Sequence, residues 1–331
     1  MYSDHFGFTD RPFQLTPDAR FYFGSRTHKK AMAYLGYGLA QGEGFIVITG
    51  EVGAGKSTLA AHLMATVDRA RLNAINIVST QVDGDDMLRL AAQGMGLDTD
   101  AVSKAQLLDQ VARHLEDEAR RGKRTLLIVD EAQNLSVTAL EELRMLSNFQ
   151  VGGQALLQIF LLGQPEFREK MATGSLEQLR QRVIAIHHLE PMEAGEVEPY
   201  VVHRMKLVGW DGRPLIEADA FTEIHRLTGG VPRKVNQFAG RLLLHAAVEE
   251  LDTIDAETVA EVAEDFEGDS PRPASEPQRT SVEPVRDLGL ERRVAALEAQ
   301  LEEQDRAMRR VLTLLVDWVE NEGQAAFHDA A

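Results

Sequence analysis

The first 190 residues of the chain alternate short apolar segments with longer segments of helical periodicity. The apolar segments are rich in Ile, Val and Leu and do not alternate with polar residues, which is typical of strands buried on both faces of a parallel sheet. They are Phe45–Thr49, Ala74–Ser79, Thr125–Val129, Leu156–Leu162 and Val183–His188. Helical periodicity occurs between them, at Ser57–Val67, Ala105–Arg121 and Val137–Phe149. Repeated strand–helix units predict a layered α/β domain over residues 1–190.

The pattern changes at residue 191, where strand-like segments disappear. Four amphipathic helices are predicted, at Glu193–Val208, Ala218–Thr228, Arg233–Leu251 and Ala256–Phe266. Two glycines and a proline within residues 229–232 separate the second helix from the third, and Asp255 suits the N-cap of the fourth. Residues 191–267 are therefore predicted to form a small helical domain.

Residues 268–289 contain four prolines and few apolar side chains, which predicts a flexible linker. Apolar residues then recur at alternating spacings of 4 and 3, with one glutamine among them: Leu290, Val294, Leu297, Leu301, Gln304, Met308, Val311, Leu315 and Trp318. This a/d seam predicts a coiled-coil helix over residues 290–320. The alternative is a single amphipathic helix docked on its own domain.

Composition narrows the class of protein. A formal charge of −17 over 331 residues argues against a large basic surface for nucleic acid. The absence of cysteine excludes disulfides and thiolate zinc sites. No apolar segment approaches the ~20 residues that cross a bilayer, and the N-terminus does not resemble a secretory signal, so a cytoplasmic protein is expected.

The segment after the first predicted strand fits the pattern G-x-x-x-x-G-K-[ST] and opens a helix, which is the context that a phosphate-binding loop requires. The residues assigned to nucleotide binding are Gly50, Glu51, Val52, Gly53, Ala54, Gly55, Lys56, Ser57 and Thr58. Successive backbone N–H groups and the helix N-terminus would face the phosphates. Lys56 is expected to reach the β- and γ-phosphates, and the Ser57 hydroxyl to ligate Mg²⁺. A chance glycine-rich turn is the alternative.

Two acids follow the apolar strand at Thr125–Val129. Asp130 is expected to hold the Mg²⁺ shell, and Glu131 to orient and deprotonate the attacking water. The alternative is that both acids only cap a helix at Ala132–Phe149, because acids favour a helix N-terminus.

The motifs GEVGAGKST, LLIVDEAQNL, LLGQPEF, LRQRV and GGVPRKVNQ, with the opening FGFTDRPFQLTPD, resemble AAA+ ATPases of the general secretion pathway protein A type. Within that group they look most similar to the ATPases of exosortase/PEP-CTERM exopolysaccharide loci. The resemblance covers residues 1–266 and implies a five-stranded parallel αβα core with a helical lid, ATP and Mg²⁺ as cofactors, and ATP hydrolysis.

The resemblance also assigns three residues outside the phosphate loop. Gln164 matches sensor 1, Arg233 in the lid matches sensor 2, and Arg182 matches the finger that reaches a neighbour's ATP, with Arg180 as a weaker candidate. From the residues alone, Gln164 is also compatible with a turn and Arg182 with a solvated helix-end cation. Arg233 is predicted at a helix start, where a cation is unfavourable unless an anion lies nearby. The nucleotide-binding role is therefore the favoured interpretation.

Six aromatic residues are concentrated between positions 6 and 23: Phe6, Phe8, Phe13, Phe21, Tyr22 and Phe23. The resemblance suggests that this segment packs beside the nucleotide base. The alternative is that the rings cover the edge of the sheet, and the two interpretations are compatible.

The resemblance implies an oligomeric ATPase, for example a ring, that serves secretion or exopolysaccharide export at the inner membrane through a membrane-associated partner. The chain lacks a transmembrane helix and a periplasmic peptidoglycan-binding extension, which favours the soluble exosortase-locus type, cytoplasmic or peripheral to the membrane. A DNA-associated transposition-helper ATPase is one alternative, disfavoured by the acidic charge. A slowly hydrolysing nucleotide-gated scaffold is another, disfavoured by the intact acids at 130 and 131.

Overall fold

The computed structural model describes residues 2–42, 44–78 and 82–269. Five strands form its main sheet: β1 Phe45–Gly50, β2 Leu72–Val78, β3 Arg124–Asp130, β4 Leu157–Gly163 and β5 Val183–Leu189. All neighbouring pairs are parallel, in the order β2-β3-β4-β1-β5. The α/β fold with five parallel strands, predicted from the apolar segments, is confirmed.

The helices of the described chain are α1 Tyr2–His5, α2 Arg26–Gln41, α3 Lys56–Thr66, α4 Gly84–Gly94, α5 Lys104–Arg120, α6 Val137–Leu146, α7 Pro165–Met171, α8 Glu177–Arg180, α9 Ala194–Leu207, α10 Ala218–Thr228, α11 Pro232–Val248 and α12 Ala256–Asp269. Short 3₁₀ helices occur at Ala19–Phe21, Ala132–Asn134 and Gly174–Leu176. Two pairs of two-residue strands complete the described elements: Gln150–Val151 with Gln154–Ala155, and Leu215–Ile216 with Thr253–Ile254.

The central strand β1 contacts both helical layers because successive side chains of a strand point to opposite faces. Phe45 and Val47 belong to the apolar cluster shared with α4, α5 and α6. Ile46 and Ile48 belong to the cluster shared with α2 and α3. All four side chains are completely buried, which explains why the strand reads as one continuous apolar segment.

The α2 helix was not anticipated from the sequence. It begins after Ser25, whose hydroxyl oxygen accepts a hydrogen bond from the His28 backbone, and it packs against β1 and β5. Gly38 permits this close approach, because a Cβ atom there would lie 2.6 Å from the Ile46 side chain. The helix covers one face of the sheet and places His28 against the phosphate loop.

The four helices predicted after residue 191 are present as α9 to α12. The N-cap prediction for Asp255 is also confirmed, since its carboxylate accepts a hydrogen bond of 2.9 Å from the Thr258 backbone N–H. The apolar faces of these helices form one cluster, which includes Tyr200 and Phe238.

The predicted linker (residues 268–289) lies outside the described residues except for 268 and 269, and the predicted coiled coil (residues 290–320) lies outside them entirely.

The N-terminal aromatic rings pack on these helices rather than on the edge of the sheet. Phe6, Phe8, Phe13 and Phe21 are buried in the cluster formed by α9 to α12. Tyr22 alone of the six packs against the cluster of the sheet. The expectation that the rings cover the sheet edge is therefore wrong for these four phenylalanines.

No helix among the described residues is long and apolar enough to span a membrane.

Candidate nucleotide-binding site

The loop between β1 and α3 has the backbone geometry of an anion-binding turn. Gly53 and Gly55 adopt φ angles of +86° and +96°, which side chains with a Cβ atom rarely tolerate. A Cβ atom on Gly55 would also lie 2.7 Å from Nε2 of His28, whose ring packs beneath the loop. The α3 helix begins at Lys56, so its unpaired N–H groups and the positive end of its dipole are directed into the loop.

Lys56 is buried, with 6% of its surface exposed. Its Nζ donates hydrogen bonds to the carbonyl oxygens of Gly50, at 2.6 Å, and Glu51, at 3.1 Å. Burial lowers the pKa of Lys56, and the negative charges of Glu131 and Asp130 oppose that shift. The ammonium group is thus held against the loop and faces both acids at the end of β3.

Ser57 and Asp130 meet where α3 begins and β3 ends. The Ser57 hydroxyl donates a hydrogen bond of 2.6 Å to Oδ2 of Asp130. A hydroxyl and a carboxylate are the oxygen ligands that Mg²⁺ accepts, with water and phosphate completing its shell. The described residues contain no cluster of three or more His, Asp or Glu that could form an all-protein metal site. The donor set at this point therefore fits Mg²⁺ bound together with a phosphate ligand.

Glu131 follows Asp130 in a left-handed backbone conformation, with φ of +56°. Its Oε2 accepts hydrogen bonds from Nε2 of Gln133, at 2.5 Å, and from Nε2 of Gln164, at 3.3 Å. Gln164 follows the fourth strand of the sheet, as predicted, and its side chain contacts the Glu131 carboxylate. Sequence reasoning missed Gln133, although it lies in the same DEAQNL motif.

The alternative of a capping role for these acids is wrong. Glu131 precedes a 3₁₀ helix at Ala132–Asn134 and its side chain makes no capping hydrogen bond. The helix expected over Ala132–Phe149 begins only at Val137, where Ser136 supplies the cap through a hydrogen bond of 3.0 Å from the Ala139 backbone. The two carboxylates are thus directed toward the phosphate loop and not toward a helix end.

Arg233, at the start of α11, reaches the same loop from the helices after residue 191. Its backbone N–H donates a hydrogen bond of 3.1 Å to the carbonyl oxygen of Gly53. Pro232 precedes it at the first helical position, where the missing N–H of proline costs nothing. The structure thus places Arg233 beside the phosphate loop.

One cleft of about 200 Å³ connects these groups. Its lining includes the phosphate loop, Glu131, Gln164 and Arg233. The lining also includes aromatic and apolar side chains, namely Leu15, Pro17, Phe21, Tyr22, Phe23, Met192 and Tyr200. Tyr22 stacks on His62 of α3, with ring centroids 3.8 Å apart. Polar groups for phosphates and aromatic side chains for a planar base give the cleft the chemistry of a nucleotide site.

Arg182 lies away from this cleft. Its carbonyl oxygen accepts a hydrogen bond from the backbone N–H of Phe45, at the amino end of β1, whereas the phosphate loop follows the carboxyl end. At ~3.3 Å per residue, the length of β1 separates the two by roughly 17 Å. The Arg182 guanidinium donates to Oγ of Ser147 at 3.1 Å, and Arg180 makes a longer contact of 3.5 Å with the Ala172 carbonyl. Neither arginine lies at the nucleotide site of its own chain.

The five-stranded parallel sheet, the phosphate loop and the paired acids after β3 define an AAA-type P-loop fold. Consistent with this, residues 39–171 match the AAA_22 family, described as an AAA domain. The chain is further related to general secretion pathway protein A from Aeromonas hydrophila, with 35% identity over 247 residues. That alignment covers 74% of this chain and 45% of the relative, so the chain spans less than half of that protein's length.

Solved structures show the same fold at much lower sequence identity. The ORC2 protein of Aeropyrum pernix superposes with a TM-score of 0.59 and 17% identity, covering 78% of this chain and 72% of that protein. Cdc6p from Pyrobaculum aerophilum gives a TM-score of 0.56 and 16% identity, covering 77% and 70%. These similarities establish the fold class and not a shared task.

Proposed function

We propose that this chain binds ATP with Mg²⁺ and hydrolyses it. The observation that carries the proposal is the convergence of Lys56, Ser57, Asp130 and Glu131 on one cleft, with the Ser57 hydroxyl 2.6 Å from the Asp130 carboxylate. These four groups supply what phosphoryl transfer to water requires: a phosphate cradle, a metal site and a base.

Binding begins at the phosphate loop. The backbone N–H groups of residues 53–57 and the N-terminus of α3 bind the phosphates, and Lys56 exchanges its two carbonyl partners for β- and γ-phosphate oxygens. Ser57 and Asp130 would hold Mg²⁺, which would supply positive charge against the phosphate oxygens. Each charge-assisted hydrogen bond contributes ~1.5–3 kcal/mol, so removal of Lys56 weakens binding strongly.

Hydrolysis then depends on Glu131, which orients the attacking water and accepts its proton. Gln164 serves as sensor 1. Its hydrogen bond to Glu131 couples the presence of the γ-phosphate to the position of the Glu131 carboxylate. Arg233 serves as sensor 2, on a lid formed by residues 191–267 that covers the core of residues 1–190.

Arg182 acts on the nucleotide of a second copy, because it lies at the opposite end of β1 from its own phosphate loop. That role requires self-association into an oligomer such as a ring. Arginines supplied by a neighbour accelerate P-loop hydrolysis by ~10³–10⁵, so the monomer is expected to turn over slowly.

In the cell, we infer a task in secretion or exopolysaccharide export, with the protein cytoplasmic or peripheral to the inner membrane and joined to a membrane partner. The 35% identity with general secretion pathway protein A supports this assignment. The heptad seam of residues 290–320 is our candidate for the connection to that partner or to other copies. Unchanged oligomer mass and partner recovery after deletion of residues 288–331 would refute that role.

The test of the proposed activity is ATP hydrolysis by the full chain with Mg²⁺ and with excess EDTA, alongside Lys56→Ala. We expect Mg²⁺-dependent turnover that Lys56→Ala loses together with its affinity for a fluorescent ATP analogue. Lys30→Ala, on the exposed side of α2, is the matched control and should behave as wild type. Turnover that is stimulated by duplex DNA would instead support the transposition-helper alternative.

A further inference from the structure

Gln133 connects the two strands that carry the reacting groups of the site. Its Nε2 donates a hydrogen bond of 2.5 Å to Oε2 of Glu131, and its Oε1 accepts one of 3.0 Å from the backbone N–H of Gln164. Glu131 follows β3, and Gln164 follows the neighbouring strand β4. One side-chain amide therefore ties the carboxylate to the backbone at the end of the adjacent strand.

The orientation of this amide is determined by its two partners. A backbone N–H can only donate and an ionised carboxylate can only accept, so the oxygen of Gln133 must face Gln164 and its nitrogen must face Glu131. The backbone of Gln133 is held as well, because Nζ of Lys170 donates to its carbonyl oxygen at 3.3 Å and also to that of Leu135. Gln133 is thus fixed at both its main chain and its side chain.

Glu131 needs such support, since its backbone lies in the left-handed region with φ of +56°. That conformation is unfavourable for a residue with a Cβ atom and persists only where surrounding contacts impose it. Both amide donors, from Gln133 and Gln164, converge on Oε2. Among the described residues, no hydrogen bond reaches Oε1 of Glu131.

We propose that Gln133 is a positioning residue for ATP hydrolysis: it holds Oε2 of Glu131 so that Oε1 faces the attacking water. The inference rests on the proposed function and extends it to a residue outside the metal and phosphate contacts. Gln133 acts through Glu131 and touches neither phosphate nor metal, so its removal lowers kcat and leaves nucleotide affinity unchanged. Loss of one hydrogen bond to a charged group corresponds to a decrease of about 10- to 100-fold in kcat.

The test uses the full chain and two variants that keep the volume of the side chain. Gln133→Met loses both hydrogen bonds, whereas Gln133→Glu keeps an acceptor for the Gln164 N–H but replaces the donor to Glu131 with a carboxylate that repels it. Gln150→Met, on an exposed two-residue strand, is the matched control. For each protein, steady-state ATP turnover, affinity for a fluorescent ATP analogue and thermal unfolding are measured.

We expect both Gln133 variants to show kcat reduced by about tenfold or more, and we expect Gln133→Met to keep the nucleotide affinity and unfolding temperature of Gln150→Met. A double-mutant cycle separates positioning from structural support. In a Glu131→Ala background there is no carboxylate to hold, so Gln133→Met should cause no further loss in single-turnover hydrolysis. A loss that multiplies with that of Glu131→Ala would overturn the proposal, as would wild-type kcat in Gln133→Met.

The same data distinguish failure of this inference from failure of the proposed function. If wild type hydrolyses ATP and Glu131→Ala does not, but Gln133→Met is as active as wild type, only the role of Gln133 is refuted. If wild type shows no Mg²⁺-dependent hydrolysis, or Glu131→Ala retains full activity, the proposed function fails and the role of Gln133 fails with it.

Discussion

The backbone N–H of Arg233 donates a hydrogen bond of 3.1 Å to the carbonyl oxygen of Gly53. The first turn of α11 is therefore bound directly to the phosphate loop. The approach is so close that a Cβ atom on Gly53 would lie 2.3 Å from Cβ of Arg233. The pattern G-x-x-x-x-G-K-[ST] leaves this position free, so the requirement for glycine here arises from α11 and not from the phosphate loop alone.

Gly53→Ala is expected to weaken ATP binding by tenfold or more. The new methyl group forces α11 away from the loop and also meets an unfavourable φ of +86°. Titration with a fluorescent ATP analogue measures the effect. Gly36→Ala is the control, since a Cβ atom at Gly36 contacts nothing within 4 Å and the position lies inside α2. Affinity in Gly53→Ala equal to that of the control would refute a functional contact between loop and helix.

His28 supports the phosphate loop from below, and burial lowers its pKa from 6.5 to about 4. Its Nδ1 lies 2.7 Å from Oγ of Ser25, and the ring also hydrogen-bonds the backbone of Ala54. Because the pKa is lower in the folded than in the unfolded chain, the unfolded chain binds a proton first as the pH falls. The contribution of neutral His28 to stability is complete above pH 6.5 and is lost as the pH falls toward 4.

Between pH 7.5 and pH 5, wild type should lose about 2 kcal/mol more unfolding free energy than His28→Gln, which cannot titrate. Urea denaturation of both proteins at the two pH values measures this difference. His28→Gln should be the less stable of the two at pH 7.5, because glutamine does not reproduce the ring contacts. Equal pH-dependent losses in the two proteins would show that His28 is not buried in its neutral form.

Arg182→Ala is expected to bind ATP normally and to hydrolyse it at least 10³-fold more slowly than the assembled wild type. Lys56→Ala should be equally inactive for the opposite reason, because it supplies Arg182 but binds no ATP. Mixing the two variants should restore part of the turnover, since a subunit with an intact loop then adjoins a subunit with an intact arginine. Arg180→Ala is the control and should retain activity.

Wild-type turnover per subunit should also rise with protein concentration as the oligomer forms. Turnover that stays constant with concentration, together with an inactive mixture of the two variants, would exclude an arginine supplied by a neighbouring copy.

The strands and the later helices could be predicted from the sequence because their signals are local. The β1, β3 and β4 strands are buried on both faces and therefore read as apolar segments. The α2 helix was missed because Gly36 and Gly38 lower its helix propensity. The reason for a glycine at position 38 is its close packing against Ile46, which only the fold shows. The aromatic residues near the N-terminus could be recognised as a cluster, but their partners on α9 to α12 are far away in the sequence.

The candidate site also has parts that local sequence predicts and parts that only the fold shows. The phosphate loop and the acids at 130 and 131 could be predicted because each motif is contiguous and its context is local. The contact between Arg233 and Gly53 joins residues 180 positions apart, so only the fold shows it. Gln133 lies two residues from Glu131, yet the direction of its side chain depends on the left-handed backbone of Glu131 and on the position of Gln164. No short motif specifies either of these.

The most direct test of the account is the identity of the nucleotide that Glu131→Gln holds after incubation with ATP and Mg²⁺. Glutamine keeps the shape of glutamate but cannot accept the proton of the attacking water. Chromatography of the nucleotide released from the purified protein should show ATP on Glu131→Gln and ADP on wild type, at equal occupancy. ADP formed on both proteins at the same rate would contradict the assignment of Glu131 as the base of an ATP-hydrolysing site.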